Sequence, residues 1–307
     1  MKGNSVPVLI TWDVDPDRWA TVEHREDALS MAINLCEELG IRSTFFITAN
    51  FAHEYPAHIE RMRLLGQEVG CHGLMHTDEE DYDKISEELQ RTLIQEATQK
   101  LETVVGSTIF SFRSPRVKTS AQTLKILADL NYLTDSSICS QRMDFVSSNL
   151  INPGWLVAPR LPYHPHYTNP YQRGNLPILE IPISAAIIPF ISSSLKVLGL
   201  RLMKAFIWLL YNEAKITGKP IVYLAHPTEF ITLPGWRSKR KFSDFSPSHI
   251  RTHGFLVRNL LFRLVGQALF EATREMFTYI SNLPGVVFMT CNDFTNQWKE
   301  ETGKDLS

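Results

Sequence analysis

Short apolar runs alternate along this chain with longer stretches in which apolar positions recur every three or four residues. Val8-Leu9-Ile10 leads into Thr11-Trp12-Asp13-Val14-Asp15. An apolar run ending in acids predicts a buried parallel strand with functional groups at its C-terminal end. Residues 26–39 follow with helical periodicity, Ala28, Met31, Ala32, Leu35 and Leu39 sharing one face, and Gly40 is a stop signal. The same reading gives a strand at 42–48, a helix at 56–65, a short strand at 67–70 and a long amphipathic helix at 85–105. A strand at 109–112, a helix at 120–130 and a strand at 132–135 come next. Strands and helices in this alternation, without an internal repeat, predict parallel strands wrapped by helices.

The second half is less regular. Residues 152–175 are rich in Pro, Tyr, His and Asn and read as a long loop. Its Trp155, Tyr163, Tyr167 and Tyr171 are suited either to lining a sugar-binding groove or to packing the loop onto the body. Strands are predicted at 178–182, at 219–225 (ending at His226) and at 285–290. A long helix is predicted at 255–280, and a polar, frayed tail after Trp298. Residues 183–217 are unusually apolar, with Lys196, Arg201 and Lys204 interrupting, and Pro189 and the Ser192-Ser193-Ser194 run dividing the stretch. No run of about 20 apolar residues exists there, which excludes a spanning helix. Two readings stand: a buried helix with its preceding loop, or a helix lying in a membrane interface with Phe206 and Trp208 dipping in. For the second, residues 236–241, Trp236 followed by Arg237-Ser238-Lys239-Arg240-Lys241, offer an electrostatic anchor. Residues 1–307 are expected to form one domain, with 183–217 as an apolar loop-and-helix insertion.

Composition narrows the class. The 307 residues are 44% hydrophobic and 21% charged, an ordinary globular balance. A net charge of -2 predicts no general attraction to nucleic acid. Cys36, Cys71, Cys139 and Cys291 are widely spaced, which suggests neither a disulfide framework nor a cysteine zinc site. They read as reduced thiols of a cytoplasmic protein. Met1-Lys2-Gly3-Asn4-Ser5 carries no apolar signal core, so a secretory leader is not expected.

The chemistry centres on Gly70-Cys71-His72-Gly73-Leu74-Met75-His76. On a helical turn or tight loop, side chains at i and i+4 lie about 5–6 Å apart, close enough for two imidazoles to share a cation. Imidazole suits zinc, cobalt, nickel or iron, and a carboxylate such as Asp15 completes a three-ligand site. Asp13, two residues away, shares a strand face with Asp15. A second carboxylate beside an acidified water is the arrangement for metal-assisted hydrolysis. Expulsion of an amine then needs a proton, for which His226 is the best-placed donor, with Asp135 as its carboxylate partner. Arg113, after another predicted strand, is suited to orienting Asp13. These groups all sit at or after the ends of predicted strands, as active sites do in α/β barrels.

The order Thr-x-Asp-x-Asp, His-x-x-x-His, Arg-x-Pro, Asp-Ser-Ser, Glu-Ile-Pro, Leu-x-His-Pro resembles the polysaccharide deacetylase superfamily, carbohydrate esterase family 4 with its NodB-homology domain. The likeness is greatest to the peptidoglycan-deacetylase-like branch carrying Asp-x-Asp, and it runs from Val8 to Phe294. It implies a distorted (β/α)7-type barrel, a divalent metal, foremost zinc with cobalt or nickel as substitutes, and hydrolysis of an N-acetyl group from an amino sugar. Carried over, Asp13 is the base, Asp15, His72 and His76 are the metal ligands, Arg113 orients Asp13, and His226 is the acid tuned by Asp135. Two departures stand out. Arg116 or Val117 occupies the place of a glycine in the usual Arg-x-Pro-x-Gly, and Gly73 replaces the usual Ser or Thr after the first metal histidine.

Three competing readings accompany this one. A deformylase of a polyprenyl-phosphate-linked amino sugar would explain residues 183–211 and 236–241 as peripheral contacts with the inner membrane face. A metal-free, allantoinase-like amidohydrolase is disfavoured by the intact ligand set. A non-catalytic carbohydrate-binding relative is disfavoured by the presence of both Asp13 and His226. The expected partner is an N-acylated amino sugar, free, polymeric or lipid-linked. The oligomeric state has no signature in the sequence.

Overall fold

The computed structural model describes residues 5–17, 20–142, 152–232 and 261–303. Its centre is a parallel sheet of eight strands: Val6–Val14 (β1), Ser43–Ile47 (β2), Glu68–Cys71 (β3), Ser111–Phe112 (β4), Thr134–Asp135 (β5), Leu179–Glu180 (β6), Ile221–Ala225 (β7) and Val286–Phe288 (β8). The order is β7-β1-β2-β3-β4-β5-β6, with β8 also paired to β1. Every ladder in this sheet is parallel. The sheet curls into a half-barrel with helices outside, the α/β fold and distorted (β/α)7 barrel expected from the sequence. Between β6 and β7 no strand ladder closes the curve. Ser184 bridges the gap, its N–H donating to the Val222 carbonyl at 3.1 Å and its Oγ accepting from Val222 N–H at 2.9 Å. Ser184 belongs to the apolar segment preceding the longest helix, so that segment closes the barrel where strand pairing lapses.

Alternation along β1 sorts its side chains between two environments. Val8, Ile10 and Trp12 join the core under the helices, while Leu9 lies with Phe46, Leu179, Ile181, Val222 and Phe294 inside the curve. Thr11 and Asp13 share the inner face with Leu9. Trp12 is fully buried against the rings of Phe45, Phe230 and Phe277. Truncating it to Ala would cost about 3–5 kcal/mol. On β3, a Cβ at Gly70 would lie 2.7 Å from the Phe46 ring, so only glycine leaves that ring its place.

The helices are Val22–Glu38 (α1), Pro56–Leu64 (α2), Glu87–Val105 (α3), Ala121–Asp129 (α4), Pro153–Val157 (α5), Ser192–Thr217 (α6), Gln267–Ser281 (α7) and Cys291–Thr302 (α8). Boundaries follow caps more closely than apolar stripes. Helix α1 begins four residues before the predicted start because Thr21 caps it, accepting from the His24 N–H at 3.2 Å. Helix α7 begins only at Gln267, after Gly266 at φ +56°, so residues 262–266 do not continue a helix as predicted; residues 255–260 lie outside the described set.

Three further expectations need correction. The tail is not frayed from Trp298: α8 runs to Thr302, with a Thr290–Asp293 capping box at its start. The N-terminus of α8 is tied into the sheet, Cys291 N–H to Thr44 Oγ1 at 2.9 Å and Asn292 N–H to Glu68 Oε2 at 3.1 Å. Residues 152–175 are not a plain loop, because they contain α5 and an antiparallel pair, Pro165–His166 with Asn169–Arg173. Trp155 and Tyr163 are buried there, so they pack the segment rather than line a groove; Tyr167 is exposed. Finally, the Ser192-Ser193-Ser194 run starts α6, and the break falls at Gly199, at φ +75°.

The apolar insertion divides by side chain. Leu195, Met203, Ile207 and Leu210 are buried, whereas Leu202, Trp208 and Leu209 are more than half exposed. Phe206 packs edge-on against Phe190 and so does not point outward. No described helix is long and apolar enough to cross a membrane. The basic cluster at 236–241 lies outside the described residues.

Candidate active site

The C-terminal ends of β1, β3, β4 and β7 deliver five of the seven residues singled out from the sequence into one cluster, and a sixth, His76, enters on the loop after β3. Asp15 follows β1, His72 follows β3, Arg113 follows β4, and His226 follows β7. Asp15 Oδ1 lies 3.2 Å from His72 Nε2 and 3.6 Å from His76 Nε2. One donor atom from each of the three fits within 4.8 Å of the others. Ligands at about 2.1 Å around a tetrahedral ion stand about 3.4 Å apart, so these separations match the edges of a coordination polyhedron. The donor chemistry agrees: two imidazole nitrogens and a carboxylate, with Asp15 Oδ1 buried and accepting no hydrogen bond. A buried polar atom without a hydrogen-bond partner is unusual, and a cation held by the three side chains would satisfy it.

The protonation equilibria reflect the crowding. Burial works against ionisation of Asp15, yet His76, His72 and His226 together hold its carboxyl well below the usual range. For His72, burial pulls the imidazole down but Asp13 and Asp15 raise it overall. For His76, burial wins and lowers it.

Arg113 connects the ligand set to Asp13. Its carbonyl accepts from His72 Nδ1 at 2.8 Å, which leaves Nε2 facing Asp15. Its guanidinium donates to Asp13 Oδ1 at 2.8 Å, Thr11 Oγ1 at 2.7 Å, the Ser136 carbonyl at 2.8 Å and Ser136 Oγ at 2.8 Å. It also lies over the Phe46 ring, 4.4 Å from the centroid. Arg113 is fully buried, so these four acceptors and the ring replace its hydration completely. Asp13 Oδ2 remains directed at the site, 3.9 Å from His72 Nε2.

His226 stands on the other side of the carboxylate, its Nε2 3.5 Å from Asp15 Oδ2. Its expected partner is corrected. The carboxylate near His226 Nδ1 is Glu229, at 3.9 Å, held in turn by Lys196 at 3.0 Å. Burial would raise the Glu229 carboxyl, but Lys196 and His226 hold it below its ordinary value. The turn Pro227–Phe230 folds Glu229 back under the histidine, and α6 inserts Lys196 from the apolar stretch. Among the described ion pairs, none joins Asp135 to His226. Asp135 instead stands opposite Glu180 on the neighbouring strand, and both carboxyls are raised by burial, Glu180 well above its ordinary value. Ser137 Oγ donates to Asp135 Oδ1 at 2.7 Å and accepts from Ser114 N–H at 2.8 Å, so Asp135 steadies the segment that clamps Arg113.

Both departures in the loops have a structural answer. Arg116 and Val117 are left-handed, at φ +56° and +53°, the conformation that glycine adopts freely and a β-branched residue adopts only under strain. Arg116 is anchored by Asp78 Oδ1 at 2.5 Å, by the Thr77 carbonyl at 2.6 Å and by Asp81. At Gly73, φ is +73° and a Cβ would lie 2.6 Å from Glu80 Oε1, so no Ser or Thr fits. Glu80, Glu229, Lys196 and Ser136 were not singled out from the sequence.

Residues 2–134, under half of the chain, match the family model for polysaccharide deacetylase. No curated protein matches the chain. Solved structures align over nearly all of it at low identity. A Mycobacterium smegmatis protein described as a polysaccharide deacetylase gives a TM-score of 0.64 at 17% identity, over 99% of this chain and 94% of that one. PuuE allantoinase gives 0.61 at 14% identity, over 98% and 92%. A Pseudomonas aeruginosa PAO1 protein of the same description as the first gives 0.60 at 14%, over 98% and 93%. These likenesses extend the shared fold from the N-terminal match to the whole chain.

Proposed function

We infer that this chain, with a polysaccharide deacetylase pattern over residues 2–134 and the corresponding fold throughout, is a hydrolase that removes an N-acyl group from an amino sugar. The reading rests on one observation: Asp15, His72 and His76 converge, with Asp13 beside His72 and His226 beside Asp15. A divalent cation held by the three, foremost zinc, would supply positive charge that acidifies water and polarises the acyl oxygen. Asp13, fixed through Oδ1 by Arg113, has Oδ2 free to take the proton from the attacking water. As the C–O bond forms and the C–N bond breaks, His226 Nε2 supplies the proton that lets the nitrogen leave as an amine. Glu229, held by Lys196, orients the ring through Nδ1.

Free, polymeric and prenyl-linked N-acyl amino sugars, incubated with the protein and zinc, cobalt or nickel and followed by mass spectrometry, test this reading. Loss of one acyl mass, abolished in Asp13→Asn and His226→Ala, is the expected result. Turnover that survives both substitutions would overturn the assigned roles. Turnover by metal-free protein would favour an allantoinase-like amidohydrolase.

A second reading, that the substrate is presented at a lipid surface, is favoured by the outward Leu202, Trp208 and Leu209 on α6 and the exposed Arg201 beside them. Flotation with anionic vesicles, lost in Trp208→Glu, tests it; a protein that stays in the aqueous fraction excludes it.

A further inference from the structure

The loop that carries His76 is held by one carboxylate from outside the ligand set. Glu80 is fully buried. Its Oε1 accepts from Leu74 N–H at 2.5 Å and from the Tyr82 hydroxyl at 2.6 Å. Its Oε2 accepts from Met75 N–H at 2.8 Å and His76 N–H at 2.7 Å. Three successive amides thus point at one side chain, forming a concave anion nest. The opposite edge of the loop is tied as well: the Gly73 and Leu74 carbonyls accept from Ala49 and Asn50 N–H at 2.9 and 3.0 Å. The conformation is one that few residues adopt unaided, with His76 at φ +57° and Gly73 at +73°. Gly73 has no Cβ to displace Glu80. The hydroxyl expected after the first histidine is absent, and the glycine that replaces it opens the space the carboxylate fills.

We propose that Glu80 is a positioning residue that pre-organises the His72–His76 loop and thereby sets the affinity of the site for its cation. The physical reason is economy of ordering. A donor set already in its bound geometry loses less conformational freedom when an ion arrives. A ring whose main chain is fixed at its own N–H cannot drift out of reach. Glu80 touches neither the ion nor the substrate. Its effect passes through the main chain of His76, as that of Arg113 passes through its carbonyl to His72. Groups one step removed from a metal change affinity about 10–100-fold when lost.

This rests on the metal-site reading above, and the test separates the two. Apo-protein is titrated with zinc or cobalt alone against a chromophoric chelator, for wild type, Glu80→Gln, Glu80→Asp and Tyr82→Phe. Glu80→Gln keeps the volume but aims an amide N–H₂ or a single oxygen at donors that need both carboxylate oxygens. Its cation affinity should fall about 10–100-fold, with a weakened or altered cobalt d–d spectrum. Tyr82→Phe removes a donor to Glu80 that is not part of the loop and should stay within about threefold of wild type. If Glu80→Gln does not fold, Glu80→Asp carries the test: one methylene shorter, it cannot reach all three amides and should lose affinity. Wild-type affinity in the folded Glu80 variants overturns the proposal, as does an equal loss in Tyr82→Phe. Wild-type protein that binds no cation overturns the metal-site reading instead.

Discussion

The carbonyl of Arg113 accepts the Nδ1 proton of His72 at 2.8 Å. One residue therefore sets the tautomer of a candidate metal ligand with its main chain while its guanidinium fixes Asp13 at 2.8 Å. The two functions are separable by mutation, because only the second depends on the side chain.

Arg113→Ala should leave the carbonyl in place and strand the Asp13 carboxylate in a buried site. Removing one member of a buried pair costs about 3–5 kcal/mol. Urea unfolding should show that loss, while zinc affinity, read against a chelator, falls less than in Asp15→Asn. An unchanged midpoint would mean that water replaces the guanidinium.

Metal should raise stability by mass action. At a free concentration 100 times Kd the gain is about 2.7 kcal/mol, visible as a thermal shift with zinc. His72→Ala and Asp15→Asn should abolish the shift. A shift that persists in both would place the ion elsewhere.

The Asp135–Glu180 pair gives a pH dependence with a definite sign. The Glu180 carboxyl is raised in the folded protein by burial and by Asp135. The folded chain therefore holds a proton that the unfolded chain releases near pH 4.3. This contribution is complete below that pH and is lost as pH rises toward the folded value, by at most about 1.4 kcal/mol per pH unit. Denaturation at pH 4.5, 6.5 and 8.5 should show wild type losing stability with rising pH relative to Glu180→Gln. Parallel curves would show that the pair does not share a proton.

Lys196→Met should leave Glu229 without its cation. Because Glu229 is partly exposed, at 17%, the expected cost is about 2 kcal/mol rather than the full buried-pair figure. Under the proposed mechanism kcat should fall several-fold with KM little changed, since the change acts through His226 on proton donation. A KM effect alone would assign Lys196 to substrate binding.

Asp13, Asp15, His72, His76 and Arg113 were legible because each stands at or just after a strand end, and strands can be read locally from apolar runs. The partner of His226 was not. Asp135 and Glu229 both follow the right kind of signal, and only the turn Pro227–Phe230 brings Glu229 within 3.9 Å. Lys196 looked like an interruption of an apolar helix. It is an interior cation, buried 3.0 Å from the Glu229 carboxylate. Glu80 sits in the acidic run Asp78-Glu79-Glu80-Asp81, yet it is fully buried.

By itself the sequence determined the parallel α/β barrel and the residues that cluster at its strand ends, since apolar periodicity and strand-end position are properties of neighbouring residues. Tertiary structure alone decided which groups hold those residues in place: Glu80 under His76, Glu229 and Lys196 behind His226, Glu180 against Asp135, and Ser184 across the gap in the barrel. Those choices depend on distances between segments 33 to 42 residues apart in several cases. A hydrogen bond reads only distance and angle in space, and separation along the chain leaves no trace in it.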